Sequence, residues 1–195
     1  NPAHREGTER SHTATHMIHW ALRDALGEHA RQAGSLVEPG RLRFDFSHFE
    51  SVPLETLSKI EEEVNHRVLS DDAVHAFETT YDQATALGAM ALFGEKYGDY
   101  VRVVEVGDYS KELCGGTHVH HTGQVGVVKI LGEASIGAGV RRVEAYTGAA
   151  GLAYLNGQAE KLRRAAELLK TDPDQVVDRL EKLLESSRAL EQTLH

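Results

Sequence analysis

The 195-residue sequence predicts an α+β fold, with helices packed on a mainly antiparallel sheet. Three observations carry this reading. Apolar residues recur at helical spacing in the first third of the chain. Short alternating stretches bounded by turn residues then follow one another, as hairpin-linked strands do. After Gly151 the pattern changes again, to a run of leucines and alanines at three- and four-residue intervals.

Taken in order, Ala14, Met17, Ile18, Ala21, Leu22, Ala25 and Leu26 place a helix over 11–26, and Gly27 suits its end. Gly34 and Pro39-Gly40 read as turn residues. Arg41-Leu-Arg-Phe-Asp-Phe46 alternates polar and apolar, which predicts a half-buried strand. Leu54, Leu57, Ile60, Val64 and Val68 mark a second helix opening near Pro53. Ala73–Thr80, Tyr100–Val106, Gln124–Leu131 and Val140–Tyr146 read as further strands, with a short helix or ordered loop in Thr85–Lys96. Beyond Gly151, Leu152, Leu155, Ala159, Leu162, Ala166 and Leu169 form a heptad seam. Asp172 and Pro173 suit the cap and first position of another helix, carrying Val176, Leu180, Leu183, Leu190 and Leu194. A domain over 1–150 and a helical segment over 151–195 are therefore expected. The two helices suit a hairpin, docking on the domain, or pairing with another chain.

Composition excludes several classes. No apolar run approaches the length of a membrane span, and the first 30 residues lack a secretory apolar core. A single cysteine, Cys114, forms no internal disulfide, which points to a reducing, cytoplasmic setting and a thiol free for metal. The net charge of −9 argues against a broadly basic nucleic-acid surface, so any such contact must be local. The opening Asn1-Pro2, with no initiator Met, suggests a piece of something longer.

The most informative residues are His12-Thr-Ala-Thr-His16 and Cys114-Gly-Gly-Thr-His118. With 12 histidines in the chain, about 0.7 His-x-x-x-His pairs arise by chance, so the first motif alone is weak. The lone cysteine has only about a 6% chance of a histidine four residues on, which makes the second motif stronger. His12 and His16 fall one turn apart on the predicted helix, so the two motifs together offer zinc a full donor set, between a helix and a Cys-Gly-Gly-Thr-His loop. A closed zinc that only staples the fold explains the same spacing. The absence of His-Glu-x-x-His disfavours a zincin-type protease or generic metallohydrolase. His19 and the remaining histidines read as surface or ordinary core, except that His120 or His121, close to His118, could take the place of a ligand.

Six runs carry a family resemblance: His12-Thr-Ala-Thr-His-Met-Ile-His19, Gly34-Ser-Leu-Val37, Leu42-Arg-Phe-Asp-Phe-Ser47, Gly88-Ala-Met-Ala-Leu-Phe-Gly-Glu-Lys96, Glu112-Leu-Cys-Gly-Gly-Thr-His118 and Gly139-Val-Arg-Arg-Val-Glu-Ala-Tyr-Thr-Gly148. In order and over 11–148, they resemble the editing domain of alanyl-tRNA synthetases. Residues 149–195 are similar in pattern to the start of the C-terminal oligomerisation segment of those enzymes. The resemblance implies an aminoacyl-tRNA deacylase that hydrolyses the ester of serine or glycine on the 3′ end of alanine tRNA. A pocket tolerant of one extra hydroxyl needs such a second site, because binding alone rejects it poorly.

The resemblance further implies that His12, His16, Cys114 and His118 are the zinc ligands. It places Thr13 and Thr15 beside the substrate hydroxyl or attacking water, or equally as hydroxyls bonded to helix backbone. Gln32 matches a position tied to editing. Asp45 is a candidate for orienting a ligand or binding the substrate amine, or a strand-face carboxylate. Arg141 and Arg142 are candidates for the tRNA acceptor end. The implied partners are charged alanine tRNA, the rest of a longer synthetase, and a second copy through 151–195, with no membrane. Whether zinc activates water or only positions substrate stays open, as does a non-catalytic tRNA-binding or dimerisation module.

Overall fold

In the computed structural model, which describes residues 2–91 and 97–193, α1 (Pro2–Leu26) begins well before the expected 11–26. Only its second half is buried, from Ser11 through Leu22, and that half carries the helical apolar pattern. Two strands follow, β1 (Gln32–Glu38) and β2 (Arg41–Ser47), joined through Pro39 and Gly40. Gly40 takes φ +76°, where a side chain is strained, and an added Cβ would lie 2.9 Å from that of Ala150. The helix expected after Pro53 is α2 (Leu54–Leu69), which buries Leu57, Ile60, Val64 and Val68.

The middle of the chain forms β3 (Val74–Thr80), α3 (Tyr81–Ala86), β4 (Tyr100–Val106) and β5 (Ser110–Leu113). Thr80 caps α3 by accepting from the Gln83 N–H at 3.2 Å. The short helix or ordered loop expected in 85–96 overlaps α3 at Thr85 and Ala86, and residues 92–96 lie outside the described residues. Then come β6 (Val128–Gly137) and β7 (Val140–Thr147), and α4 (Gly148–Leu169) starts immediately, before the expected 151. The strands form two antiparallel sheets, ordered β1-β2-β7-β6 and β3-β4-β5.

One expectation is corrected. The strand expected over Gln124–Leu131 starts late: residues 122–125 make a 3-10 turn, and β6 takes in only Val128 onward. The Gln124 side-chain oxygen accepts from the His120 and His121 N–H groups at 2.8 and 3.1 Å, and Gly126 turns the chain at φ +71°. Strands β1 and β5 were not expected. The first is an irregular edge strand with a register shift at Gln32/Gly34, and the second has four residues.

The main core joins Ala14, Met17, Ile18 and Leu22 of α1 to Phe44 and Phe46 of β2, Ile60 and Val64 of α2, and Val143 of β7. Burying a side chain such as Phe44, wholly inaccessible here, stabilises by about 1.5–3 kcal/mol. This anchors α1 against the inner face of the four-stranded sheet. A smaller core under the second sheet gathers Ala84, Val101, Val103 and Leu113.

The chain divides into two units, Asn1–Leu152 and Ala153–His195. In the second, α4 ends in a left-handed Lys170 (φ 52°), where the Lys170 N–H donates to Glu167 O and the Thr171 N–H to Ala166 O, a Schellman closure. Pro173 opens a 3-10 turn before α5 (Val176–Thr193), and the expected Asp172 cap makes no side-chain bond. Ala166 and Val176 are buried, whereas Leu155, Leu162, Leu180, Leu183 and Leu190 are exposed. Leu194 lies outside the described residues. No helix among the described residues is long and apolar enough to cross a membrane.

Candidate metal centre

Helix α1 presents His12 and His16 on one side, a turn apart, where core packing fixes its rotation. The other two donors come from the loop after β5. Arg102 of β4 holds that loop: its guanidinium donates to the Cys114 carbonyl at 3.0 Å and to the Gly116 carbonyl, and the Cys114 N–H donates to Arg102 O at 3.0 Å. The loop approaches α1 closely. A Cβ on Gly116 would sit 2.1 Å from His12 Cε1, so only glycine fits with the ring in place.

These elements bring His12, His16, Cys114 and His118 together, with one donor atom from each lying within 4.8 Å of the others. Cys114 Sγ is 3.5 Å from His12 Nε2 and 3.4 Å from His118 Nε2. The group can hold a metal ion. Burial opposes ionisation of the Cys114 thiol, but contacts to His118, His12 and His16 outweigh it and lower its pKa to about 3. Burial lowers that of His118 to about 4, against the pull of the Cys114 contact. Burial also works against a charged His16, yet neighbouring Glu112 prevails and raises its pKa. Glu112 in turn lies well below the usual carboxylate range, because His16 and His19 offset its desolvation.

Behind the donors stands a second set of contacts. Glu112, at the end of β5, is buried and meets His16 Nδ1 at 2.9 Å and His19 Nδ1 at 2.8 Å. His16 Nε2 has no hydrogen-bond partner. The Thr13 hydroxyl is 3.0 Å from Glu9 O and 3.2 Å from His118 Nδ1, and it accepts from the Val119 N–H at 3.2 Å. Thr13 is therefore at the centre. Thr15 is buried too, but its hydroxyl donates to the Ser11 carbonyl at 2.8 Å, the helix-backbone alternative.

The remaining expected residues belong to the four-stranded sheet. Gln32 stands opposite Phe46 at the start of β1, and its amide donates to Ser35 Oγ at 3.1 Å. Asp45 alternates with buried Phe44 and Phe46, so it faces away from α1. It accepts two bonds from Arg142, at 2.6 and 2.8 Å. Arg141 and Arg142 are successive strand residues and so point to opposite faces, and Arg141 is paired with buried Glu133. Both arginines thus have carboxylate partners, and they do not form one patch.

Sequence reasoning missed Glu112 and the part His19 plays beside it, whereas the close backbone approach expected of Gly115-Gly116 is found at Gly116. A signal for His19 was present, since residues 12, 16 and 19 share a helix face. Glu112 precedes Cys114 by two residues, the spacing that within a strand puts two side chains on one side of the pleat.

Residues 101–144 match the model of the second additional domain of threonyl and alanyl tRNA synthetases. The chain is 54% identical over 191 residues to the alanine–tRNA ligase of Pelotomaculum thermopropionicum, covering 98% of this chain and 22% of that protein. The alanine–tRNA ligases of Desulforamulus reducens and Halorhodospira halophila are 51% and 50% identical over 190 residues, 97% of this chain and 22% of each. The chain thus spans about a fifth of the length of these relatives. Over nearly its whole length it is similar to a region of alanine–tRNA ligases that takes in the second additional domain, which bears out the resemblance to their editing domain.

Proposed function

We propose that this chain is a zinc-dependent deacylase that edits mischarged alanine tRNA, cleaving the ester of serine or glycine at the 3′ end. The observation that carries it is the His12–His16–Cys114–His118 group in a chain half identical to alanine–tRNA ligases. The donors fit zinc: three imidazoles and one thiol biased to thiolate, with an unpartnered, buried Nε2 on His16. A bound zinc polarises an ester carbonyl or a water when it keeps a coordination position open.

The chain's own residues support the rest. A Cβ added at Gly115 would meet nothing within 4 Å among the described residues, which leaves room for substrate beside the donors. Thr13 orders His118 and the Val119 backbone, so its role is to shape the site. Selection against alanine follows if the site hydrogen-bonds the serine hydroxyl, because alanine leaves those groups unpaired. The natural partners on this reading are the tRNA acceptor end, the rest of the synthetase, and a second copy through 151–195, in the cytoplasm.

Four protein donors also suffice for a closed tetrahedral zinc, which favours a second reading: a zinc-stabilised tRNA-binding or assembly module. Hydrolysis of Ser-tRNA(Ala) and Ala-tRNA(Ala), before and after zinc removal, separates the two. Selective, zinc-dependent loss of the serine ester is expected. A folded, zinc-loaded chain without hydrolysis supports the module.

A further inference from the structure

We propose that Glu112 is the positioning residue of the metal centre, holding His16 in the tautomer that leaves Nε2 for the ion. The inference rests on the reading of the four-residue group as a zinc site. Its basis is a carboxylate 3% exposed, with both oxygens engaged by imidazoles of one helix. A buried carboxylate needs such partners. As an acceptor only, it requires an N–H at each Nδ1 that meets it. With Nδ1–H directed at Glu112 Oε2, the unpartnered Nε2 is the one nitrogen of His16 left to bind. Histidine ligands in metal sites are oriented by this kind of outer contact.

The placement is built into the fold. Glu112 and Cys114 lie two residues apart, Glu112 within β5 and Cys114 just past its end, where the loop begins. His16 and His19 lie three apart on α1. One strand end therefore supplies both a ligand and the anchor of a ligand on α1. His19 steadies the carboxylate from its second oxygen, with its ring against Phe44 at 5.1 Å. Glu112 is not a general base, because both oxygens are occupied at 2.8–2.9 Å.

The test is zinc affinity of the whole chain by chelator competition, with cobalt substituted for zinc to report the ligand set. Glu112→Gln can accept at one oxygen only, and is expected to weaken zinc binding by about 10- to 100-fold. The cobalt–thiolate absorption should be kept at saturating metal. His19→Gln leaves the His16 contact intact and is expected to weaken binding by no more than about threefold. Wild-type affinity in a folded Glu112→Gln chain overturns the proposal. So does equal weakening by both variants, which means packing and not the His16 bond sets the affinity.

Should Glu112→Gln fail to fold, nitrogen NMR of the zinc-loaded wild type decides: His16 is expected protonated at Nδ1 and metal-bound at Nε2, and the opposite assignment overturns the role. A wild type that binds zinc but does not deacylate removes the hydrolase reading alone. One that binds no zinc overturns both.

Discussion

The helix–loop centre and the outer face of the four-stranded sheet both gather polar side chains, but they satisfy them differently. On the sheet, Asp45 takes two bonds from Arg142, and Arg41 pairs with Glu144. At the centre, four donor atoms converge while His16 keeps an open, buried Nε2. The two sheet pairs cross from β2 to β7, although Arg43 Nε on the same face is buried without a hydrogen-bond partner. At the centre Cys114 Sγ meets His12 and His118, and the donor left buried without a hydrogen bond is His16 Nε2. Asp45 and Arg142 are thus paired with each other, whereas the His/Cys group can hold a metal ion.

The severest way to break the contrast is to remove a donor. Cys114→Ala is expected to abolish stoichiometric zinc retention and serine-ester hydrolysis while the chain stays folded, as checked by metal analysis beside circular dichroism. Full hydrolysis by a folded variant would falsify the site assignment.

Crowding a donor is milder. Gly116→Ala must displace the His12 ring or the loop, and is expected to weaken zinc binding by about 10- to 100-fold, measured by chelator competition.

Proton release sharpens the contrast further. Cys114, lowered to about 3, and His118, lowered to about 4, are already deprotonated at pH 7. His16, raised by Glu112, holds a proton that metal must displace. Zinc uptake is thus expected to release one proton from His16 at pH 7, with affinity rising about tenfold per pH unit until His16 loses its proton unaided at about 10. Calorimetry in buffers of different ionisation enthalpy counts that proton. Release of two would mean that Cys114 is a thiol before binding.

The smallest effect on the centre belongs to the sheet. Arg142→Ala should lower the melting temperature by unpairing Asp45, leave zinc affinity within about twofold, and change the salt slope of tRNA binding by less than about one counterion. A slope change of one or more would restore Arg142 to the acceptor-end contact.

Much of this was written in local pattern. Period-3.6 apolar spacing placed α1 and α2, alternation placed β2, and β4 and β7 stand where their β-branched runs put them. The two His/Cys motifs were visible because donors one helical turn or one short loop apart leave a spacing in the chain. What had no local signature was lost: β1, exposed and irregular, β5, only four residues long, and the turn at 122–125, held by a glutamine side chain.

The sequence by itself determined the donor types, their spacing within each motif and the helical face shared by His12 and His16, because these depend on residues a few positions apart. Only the tertiary structure decided which side chains meet. It carried Cys114 and His118 across about a hundred residues to α1, set Glu112 behind His16, and paired Asp45 with Arg142 instead of with the centre. The physical reason is that long-range contact follows from how α1 and the strands bury their apolar faces, and each face is shared by segments far apart in the chain.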